Sequence, residues 1–136
     1  DDSCMFMLID IDNFNRVNDT YGHQVGDEVL VQIGAQLQKT IGTRGICARW
    51  GGEELSVYIP NILDDEALKI SQQIVDVIPQ NTNPRVTISA GLITWDKSQR
   101  PEFQTVFLYA DTALYNAKNN GKNQVCMFDE SMQLHV

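Results

Sequence analysis

The chain has 136 residues, of which 43% are hydrophobic and 21% are charged. These values are typical of one globular domain with a full core, which needs no disulfide or zinc ion to hold it together. The formal net charge of −8 disfavours binding to the phosphate backbones of DNA or RNA, so no nucleic-acid partner is expected. A phosphorylated ligand would have to be held by a metal and a few local cations.

The three cysteines, Cys4, Cys47 and Cys126, lie far apart in apolar, strand-like runs without CxxC spacing. We interpret them as buried, reduced thiols, which predicts a cytoplasmic location for the domain. No apolar run approaches the roughly 18 residues of a membrane span, so we expect no membrane contact by this domain. Residues 1–136 are interpreted as a single domain of a longer, regulated protein, and whether that parent is membrane-anchored is left open.

The first elements follow from hydrophobic spacing. The apolar run at residues 4–9 ends in Asp10 and predicts a buried central strand. Asn13 offers a cap for a short helix that ends at Gly22. A second helix is predicted to begin at Asp27, where apolar residues recur at helical spacing.

The middle of the chain predicts a hairpin. Two strand-like runs, 46–50 and 55–59, are joined by Gly51-Gly52-Glu53-Glu54, and paired glycines allow the positive φ of a tight turn. The remaining pattern predicts an acidic helix start at 64–66, a loop at 79–84, a strand at 86–92, a helix at 103–119 and a strand at 124–128. This order predicts an α+β domain with a central, mostly antiparallel sheet flanked by helices.

Acidic side chains recur where the first strand and the hairpin end. Asp10 and Asp12 flank Ile11, and a spacing of two directs both carboxylates to one face. Glu53 and Glu54 stand at the hairpin tip. Hard cations such as Mg²⁺ prefer carboxylate and carbonyl oxygens, and a split site of this kind serves two-metal phosphoryl transfer. Spacing alone leaves open that these acids are solvated surface groups.

Three segments carry a resemblance to a known family. In chain order, LIDIDNFNRVNDTYGHQVGDEVL, ARWGGEEL and YADTALYNAKNNGKNQV closely resemble the GGDEF family of diguanylate cyclases, over nearly the whole chain. The resemblance implies a palm-like, nucleotide-cyclase-like fold. It also implies that two GTP molecules are condensed into cyclic di-GMP and two pyrophosphates by attack of a 3′-hydroxyl on an α-phosphate. Each protomer would bind one GTP, so the resemblance implies a catalytic homodimer and a fused regulatory domain outside this fragment.

The resemblance also implies a metal site. Asp10 and the backbone carbonyl of Ile11 match metal ligands of the family, and Glu53 matches a ligand that also helps to deprotonate the 3′-hydroxyl. Glu54 matches a further catalytic position whose part in metal binding is open. The implied cofactor is Mg²⁺ or Mn²⁺, with about two ions per GTP.

Asn18 and Asp27 match the guanine-binding positions of the family. An ionised carboxylate only accepts hydrogen bonds, so Asp27 suits the N1–H and N2–H donors of guanine and would repel the N1 acceptor of adenine. Helix capping by Asp27 and a turn role for Asn18 are the structural alternatives.

Phosphate binding is expected at two places. The backbone N–H groups of Asn13, Phe14 and Asn15 lie at a predicted helix start, which favours phosphate oxygens. Lys118 and Lys122 match two cationic triphosphate contacts of the family. The alternative for both lysines is a solvated position that favours the helix dipole.

The chain departs from the family pattern at several positions. Leu55 stands in place of a usual Phe, which predicts a loss of packing rather than of chemistry. Asn15 replaces a common Lys and Lys122 replaces a usual Arg, which predicts weaker GTP binding rather than inactivity. Gly42 and Gly45 occupy the positions of an Arg-x-x-Asp product-inhibition motif. Since glycine offers no guanidinium or carboxylate, no inhibitory site is expected.

Two other functions remain in view. One is a non-catalytic regulatory module that binds GTP or cyclic di-GMP, which the retention of Asp10, Glu53 and Glu54 argues against. The other is a different metal-dependent nucleotidyltransferase or nucleotide cyclase, which Asn18 together with Asp27 argues against.

Overall fold

The computed structural model describes residues 3–136. Apart from a short 3₁₀ turn at Gly42–Arg44, the elements are β1 (Ser3–Ile11), α1 (Phe14–Tyr21), α2 (His23–Ile41), β2 (Ile46–Gly51), β3 (Glu54–Ile62), α3 (Asp64–Val77), β4 (Ile88–Asp96), α4 (Phe103–Asn119) and β5 (Gln124–Met127). The strands form one sheet in the order β2-β3-β1-β4-β5. Every neighbouring pair is antiparallel except β4 and β5, so the predicted mostly antiparallel α+β sheet is confirmed.

β1 is the central strand, as its unbroken apolar run predicts. It pairs with β3 on one side and with β4 on the other, and Met5, Met7, Leu8 and Ile9 are fully buried. A strand that is covered on both faces has no need of polar residues along its length. Its one charged side chain, Asp10, lies near its carboxyl end, where the strand meets the helices.

The helices cover the two faces of the sheet unequally. One face packs against α1, α2 and α3 and forms the larger core, whereas α4 covers the other face through Val106, Ala110 and Leu114 on Phe6 and Leu8. Within residues 3–136, none of the helices is both long and apolar enough to span a bilayer.

The starts of α1 and α2 differ from the predicted ones. Asn13 occupies the cap position of α1, but its backbone is left-handed with φ 55° and its side chain makes no capping hydrogen bond. α2 begins at His23 rather than Asp27, because Gly22 with φ 92° reverses the chain in a single residue. The N–H of Gly22 closes α1 on Asn18, and its carbonyl accepts the N–H of Gly26.

The predicted hairpin is confirmed, with longer strands. Gly51 and Gly52 have φ of 141° and 47°, values that favour glycine. The guanidinium of Arg49 donates from Nε and Nη2 to the carbonyl of Gly52 at 3.3 and 3.0 Å. Leu55 is buried in the larger core, so it fills an apolar site in place of phenylalanine.

The cysteines are less buried than predicted. Cys4 is buried, but Cys47 and Cys126 are only half-buried, because both lie on strands toward the sides of the sheet. Burial still raises the pKa of the thiols of Cys47 and Cys126, so both are protonated at neutral pH.

The close approach of α4 to β4 generates a prediction about stability. A Cβ added to Gly91 would overlap the backbone of Ala110 and Leu114, which cannot move without shifting the helix. We expect Gly91→Ala to lower the free energy of unfolding by at least about 2 kcal/mol, measured by chemical denaturation. Gly34→Ala on α2 is the matched control, because a Cβ there meets open space and should stabilise by about 0.5–1 kcal/mol. Equal stability of the two variants would contradict this close contact between the backbones of β4 and α4.

Candidate functional site

A cleft of about 310 Å³ opens where the carboxyl end of β1 and the hairpin tip meet the start of α1 and the end of α4. The residues predicted to bind metal and phosphate meet here. The lining is Asp10, Ile11, Asp12, Asn13, Phe14, Asn15, Arg16, Glu53, Lys118 and Lys122.

Asp10 is buried at the base of the cleft, with only 8% of its surface exposed. Its Oδ2 is paired with the ammonium of Lys118, whereas its Oδ1 is buried without a hydrogen-bond partner among residues 3–136. The sheet register sets Asp10 opposite Glu54, and the N–H of Ile11 donates to the carbonyl of Glu53 at 3.2 Å. The hairpin tip is thereby fixed beside the end of β1.

The carboxyl groups of this cluster repel one another. Burial raises the pKa of Glu53, and the charge of Asp10 and a hydrogen bond with it raise the pKa further, against an opposing effect of Lys118. Burial likewise raises the pKa of Glu54, together with the charges of Asp10 and Asp111. Three carboxyl groups thus share one ammonium, an imbalance that an added cation would relieve.

The pKa of Lys118 is also raised, but by attraction to the carboxyl groups rather than by repulsion. Burial acts to lower the pKa of its ammonium, but the hydrogen bond and charge of Asp10, together with the charges of Glu53 and Glu54, outweigh burial and raise the pKa. Lys118 is therefore firmly protonated, and it is the local counter-charge of the acidic cluster.

The donor set fits a hard divalent cation. The Oδ1 of Asp10, which has no hydrogen-bond partner among residues 3–136, is an acceptor that a metal would satisfy, and Glu53 lines the same cleft. The described residues hold no group of three or more Asp, Glu, His or Cys side chains arranged to enclose an ion. Carboxylate oxygens of this kind suit Mg²⁺, which usually keeps water and substrate phosphates among its ligands.

Asp12 differs from Asp10 although both line the cleft. Its Oδ1 accepts a hydrogen bond from Ser89 Oγ at 2.6 Å, and its Oδ2 accepts from Thr87 Oγ1 at 2.7 Å and from the N–H of Asn123 at 3.0 Å. Spacing alone gave the two aspartates equal standing. Of these two carboxylates, Asp10 alone keeps an oxygen without a hydrogen-bond partner among residues 3–136.

The phosphate side of the cleft carries the expected donors and one more. α1 begins at Phe14, so the N–H groups at its start have no partners within the helix. Lys122 Nζ donates to Asn13 Oδ1 at 3.1 Å. Arg16, which the sequence reasoning missed, also lines the cleft, beside the Asn15 that replaces a common lysine. Its position one residue further along the same helix start is the signal that could have found it.

The predicted guanine-binding residues lie outside this cleft. Asp27, in the second turn of α2, lines a neighbouring cleft of about 460 Å³ between α2 and the hairpin, with Leu30, Arg49 and Leu55. The capping alternative for Asp27 is wrong, because α2 begins at His23.

Asn18 lies on α1 against the turn of α2 that carries Asp27. A Cβ on Gly26 would overlap Asn18 Oδ1, so only glycine lets α2 approach this amide without displacing it. The turn contact of Asn18 comes from its backbone carbonyl, which accepts the N–H of Gly22 at 2.8 Å. The sequence reasoning missed Gly26, since its role depends on how the two helices pack.

The backbone constrains which residues fit at positions 42 and 45, where glycines replace the Arg-x-x-Asp motif. Gly42 has φ 60°, and a Cβ on Gly45 would overlap the carbonyl oxygen of Tyr58. An aspartate at position 45 would therefore require a shift of the hairpin. That the domain lacks an inhibitory site stays a prediction.

Known proteins are similar to this chain in sequence and in fold. The family model described as "Diguanylate cyclase, GGDEF domain" matches residues 1–124. YtrP of Bacillus subtilis (strain 168), described as uncharacterized, is 43% identical over 125 residues, which cover 92% of this chain and 22% of that protein. The probable diguanylate cyclase DgcF of Escherichia coli (strain K12) is 35% identical over 127 residues, which cover 87% of this chain and 40% of that protein.

A solved structure agrees. The active GGEEF domain of a diguanylate cyclase from Vibrio cholerae superposes with a TM-score of 0.85 at 31% identity, covering 96% of this chain and 85% of that one. The chain therefore belongs to the GGDEF family of diguanylate cyclase domains, and the family and the palm-like fold implied by the resemblance are confirmed. It spans only 22% and 40% of the length of the two curated relatives described above.

The ion pair at the cleft base generates a second prediction. Lys118→Met would leave the buried carboxylate of Asp10 without its partner, so we expect a loss of about 1–2 kcal/mol in unfolding free energy when no divalent cation is present. The value lies below that of a fully buried pair because 38% of the Lys118 side chain is exposed.

The controls separate this pair from a general loss of charge. Lys122→Met removes an exposed lysine and should change stability by less than about 0.5 kcal/mol. The Asp10→Asn/Lys118→Met double variant should be less destabilised than the sum of its single changes. Additive losses would show that the two groups are not coupled.

Proposed function

We propose that the domain is an active diguanylate cyclase that condenses two GTP into cyclic di-GMP and two pyrophosphates. The observation that carries the proposal is the cleft in which an unpaired carboxylate oxygen of Asp10 and the carboxyl of Glu53 face Lys118, Lys122 and the start of α1. It pairs acceptors for a cation with donors for a triphosphate. Membership of the GGDEF family supports the same reaction.

The acidic half of the cleft serves the metal. In the proposal, Asp10, the carbonyl of Ile11 and Glu53 hold Mg²⁺ or Mn²⁺, with about two ions per GTP. A bound divalent ion would lower the cost of forming an alkoxide at the 3′-hydroxyl and would neutralise the triphosphate. Glu53 helps to accept the 3′-hydroxyl proton, and Glu54 supports it from the position opposite Asp10.

The other half of the cleft serves the triphosphate. Lys118 and Lys122 contribute charge, and the N–H groups of Asn13, Phe14 and Asn15 contribute donors at the start of α1. Positioning of this kind supplies much of the acceleration in phosphoryl transfer, since the reacting groups are held in line before reaction.

Guanine would be read by Asp27 and Asn18. The carboxylate of Asp27 accepts from N1–H and N2–H of the base, and Asn18 lies against the same turn of α2. Adenine would leave the carboxylate facing the N1 acceptor of the base, which is unfavourable once the bound base excludes water from the contact.

The proposed reaction needs two loaded protomers. One protomer supplies the attacking 3′-hydroxyl and the other the α-phosphate, so a homodimer, even a transient one, forms the active unit. The greater length of the relatives supports the prediction of a fused regulatory domain that brings two copies together. A cytoplasmic location for this domain stays a prediction.

Product analysis tests the proposed reaction directly. Incubation with Mg²⁺ and GTP should give cyclic di-GMP by chromatography, at a rate per protomer that rises with protein concentration because two copies must meet. Absence of product with GTP bound would instead favour a regulatory binding module. Cyclic GMP, or a product made from ATP, would favour a different nucleotidyltransferase or cyclase.

Two isosteric substitutions test the acidic cluster. Asp10→Asn and Glu53→Gln should retain the fold, since each keeps the shape of its side chain, and should lower turnover by at least about 100-fold. Asp76→Asn, on the exposed side of α3, is the matched control and should keep full activity. Wild-type turnover in either site variant would remove the metal assignment.

A separate substitution tests base recognition. Asp27→Ala should raise the KM for GTP by about 10- to 100-fold, because guanine loses the acceptor for its two donors. Competition by ATP, measured as inhibition of GTP turnover, should strengthen relative to GTP. An unchanged preference for GTP over ATP would contradict the role of Asp27.

A further inference from the structure

The turn between α4 and β5 has an unusual backbone. Its φ values are 114° at Gly121, 64° at Lys122 and 51° at Asn123, all in the left-handed region. Only glycine adopts this region without steric cost, so Lys122 and Asn123 hold a conformation that their side chains disfavour. Neighbouring residues stabilise it in part, since the N–H of Lys122 donates to the carbonyl of Ala117 and Gln124 Nε2 donates to the carbonyl of Lys122, both at 3.0 Å. A contact from outside the turn adds to these bonds. The turn matters because it sets the direction in which Lys122 enters the cleft.

The carboxylate of Asp12 provides such a contact. Its Oδ2 accepts the N–H of Asn123 at 3.0 Å, and it also accepts Thr87 Oγ1, while Ser89 Oγ binds the other oxygen. The N–H of Asp12 donates to the carbonyl of Thr87 at 2.9 Å. Only 6% of Asp12 is exposed, so its carboxylate is fixed between β1 and β4 and presents one acceptor to the turn.

We propose that Asp12 is a positioning residue for Lys122. By anchoring the N–H of Asn123, it fixes the left-handed turn so that the Lys122 ammonium lies across the mouth of the cleft, 3.1 Å from Asn13 Oδ1. Asp12 does not itself touch phosphate, because both of its oxygens are occupied by protein donors. The inference rests on the proposed function, in which this cleft holds the triphosphate of GTP.

A positioning role and a purely structural role predict different binding. If Asp12 acts through Lys122, its loss weakens the grip on phosphates and leaves recognition of the base unchanged. If Asp12 only stabilises the fold, its loss lowers the melting temperature and leaves the affinity of the folded protein unchanged, or weakens every ligand alike. Comparing a nucleoside triphosphate with the bare nucleoside separates these cases.

The test measures dissociation constants in the presence of Mg²⁺ for a non-hydrolysable GTP analogue by calorimetry and for guanosine by NMR titration. Lys122→Met should weaken the analogue about tenfold through loss of one charged contact, and Asp12→Asn should weaken it comparably. The double variant should bind no more than about twofold more weakly than either single variant, because both changes remove the same contact. Guanosine affinity should be unchanged in all three, and Asp76→Asn should match the wild type.

Several outcomes would overturn the inference. A double variant whose loss equals the product of the single losses would show that Asp12 acts independently of Lys122. An equal loss for guanosine would show a general structural effect. If the wild type fails to bind the analogue, or if Lys122→Met binds normally, the proposed phosphate site itself fails, and these two measurements show that without reference to Asp12.

A second variant covers the case in which Asp12→Asn does not fold. Thr87→Val keeps the side-chain shape and removes only one of the donors that hold Asp12. It should weaken the analogue by about two- to fivefold, leave guanosine unaffected and speed hydrogen exchange at the Asn123 amide. Unchanged affinity together with unchanged exchange would also overturn the inference.

Discussion

The site depends on one constraint. β1 pairs with β3 and β4 and stays buried as far as Asp10 and Ile11 at its carboxyl end. A strand buried on both faces cannot hydrate a charge, so every carboxylate at its end needs a partner supplied by the protein or by a ligand. Asp12 accepts from three protein donors, whereas Asp10 pairs with one lysine and, within the part of the chain that the structure describes, keeps an oxygen without a partner. The difference between two aspartates two residues apart is therefore a difference in what surrounds them, and it separates a structural anchor from a candidate ligand.

Much of the fold could be predicted because its signals are local. The helix at 103–119 matches α4 residue for residue, and paired glycines marked the hairpin. The start of α2 was missed because Gly22 joins two helices with no intervening loop, whereas Asp27 looked like a capping residue. The predicted capping by the Asn13 side chain was wrong because its Oδ1 accepts a hydrogen bond from Lys122, which is distant in sequence, rather than from its own helix.

The site was predictable in membership but not in detail. Motif resemblance named residues on β1, the hairpin, α1 and α4, and the cleft is lined by all those expected to bind metal or phosphate. The spacing of Asp10 and Asp12 could not show which one is saturated, because Ser89 and Asn123 approach only in the folded chain. Gly26 was missed for the same reason, because its contact with Asn18 exists only once α1 and α2 pack together. Arg16 was missed although it lies next to Asn15 at the same helix start.

The close contact between β4 and α4 at Gly91 affects how this domain tolerates substitutions. At Gly91 the main chain of α4 lies directly on the main chain of β4, so α4 cannot move closer there to absorb a substitution elsewhere. Lys118, which pairs with Asp10, lies on the same helix. The position of its ammonium therefore depends on this contact. A substitution that loosens this contact would therefore move Lys118 relative to Asp10 and change the electrostatics of the cleft from a position that does not line it.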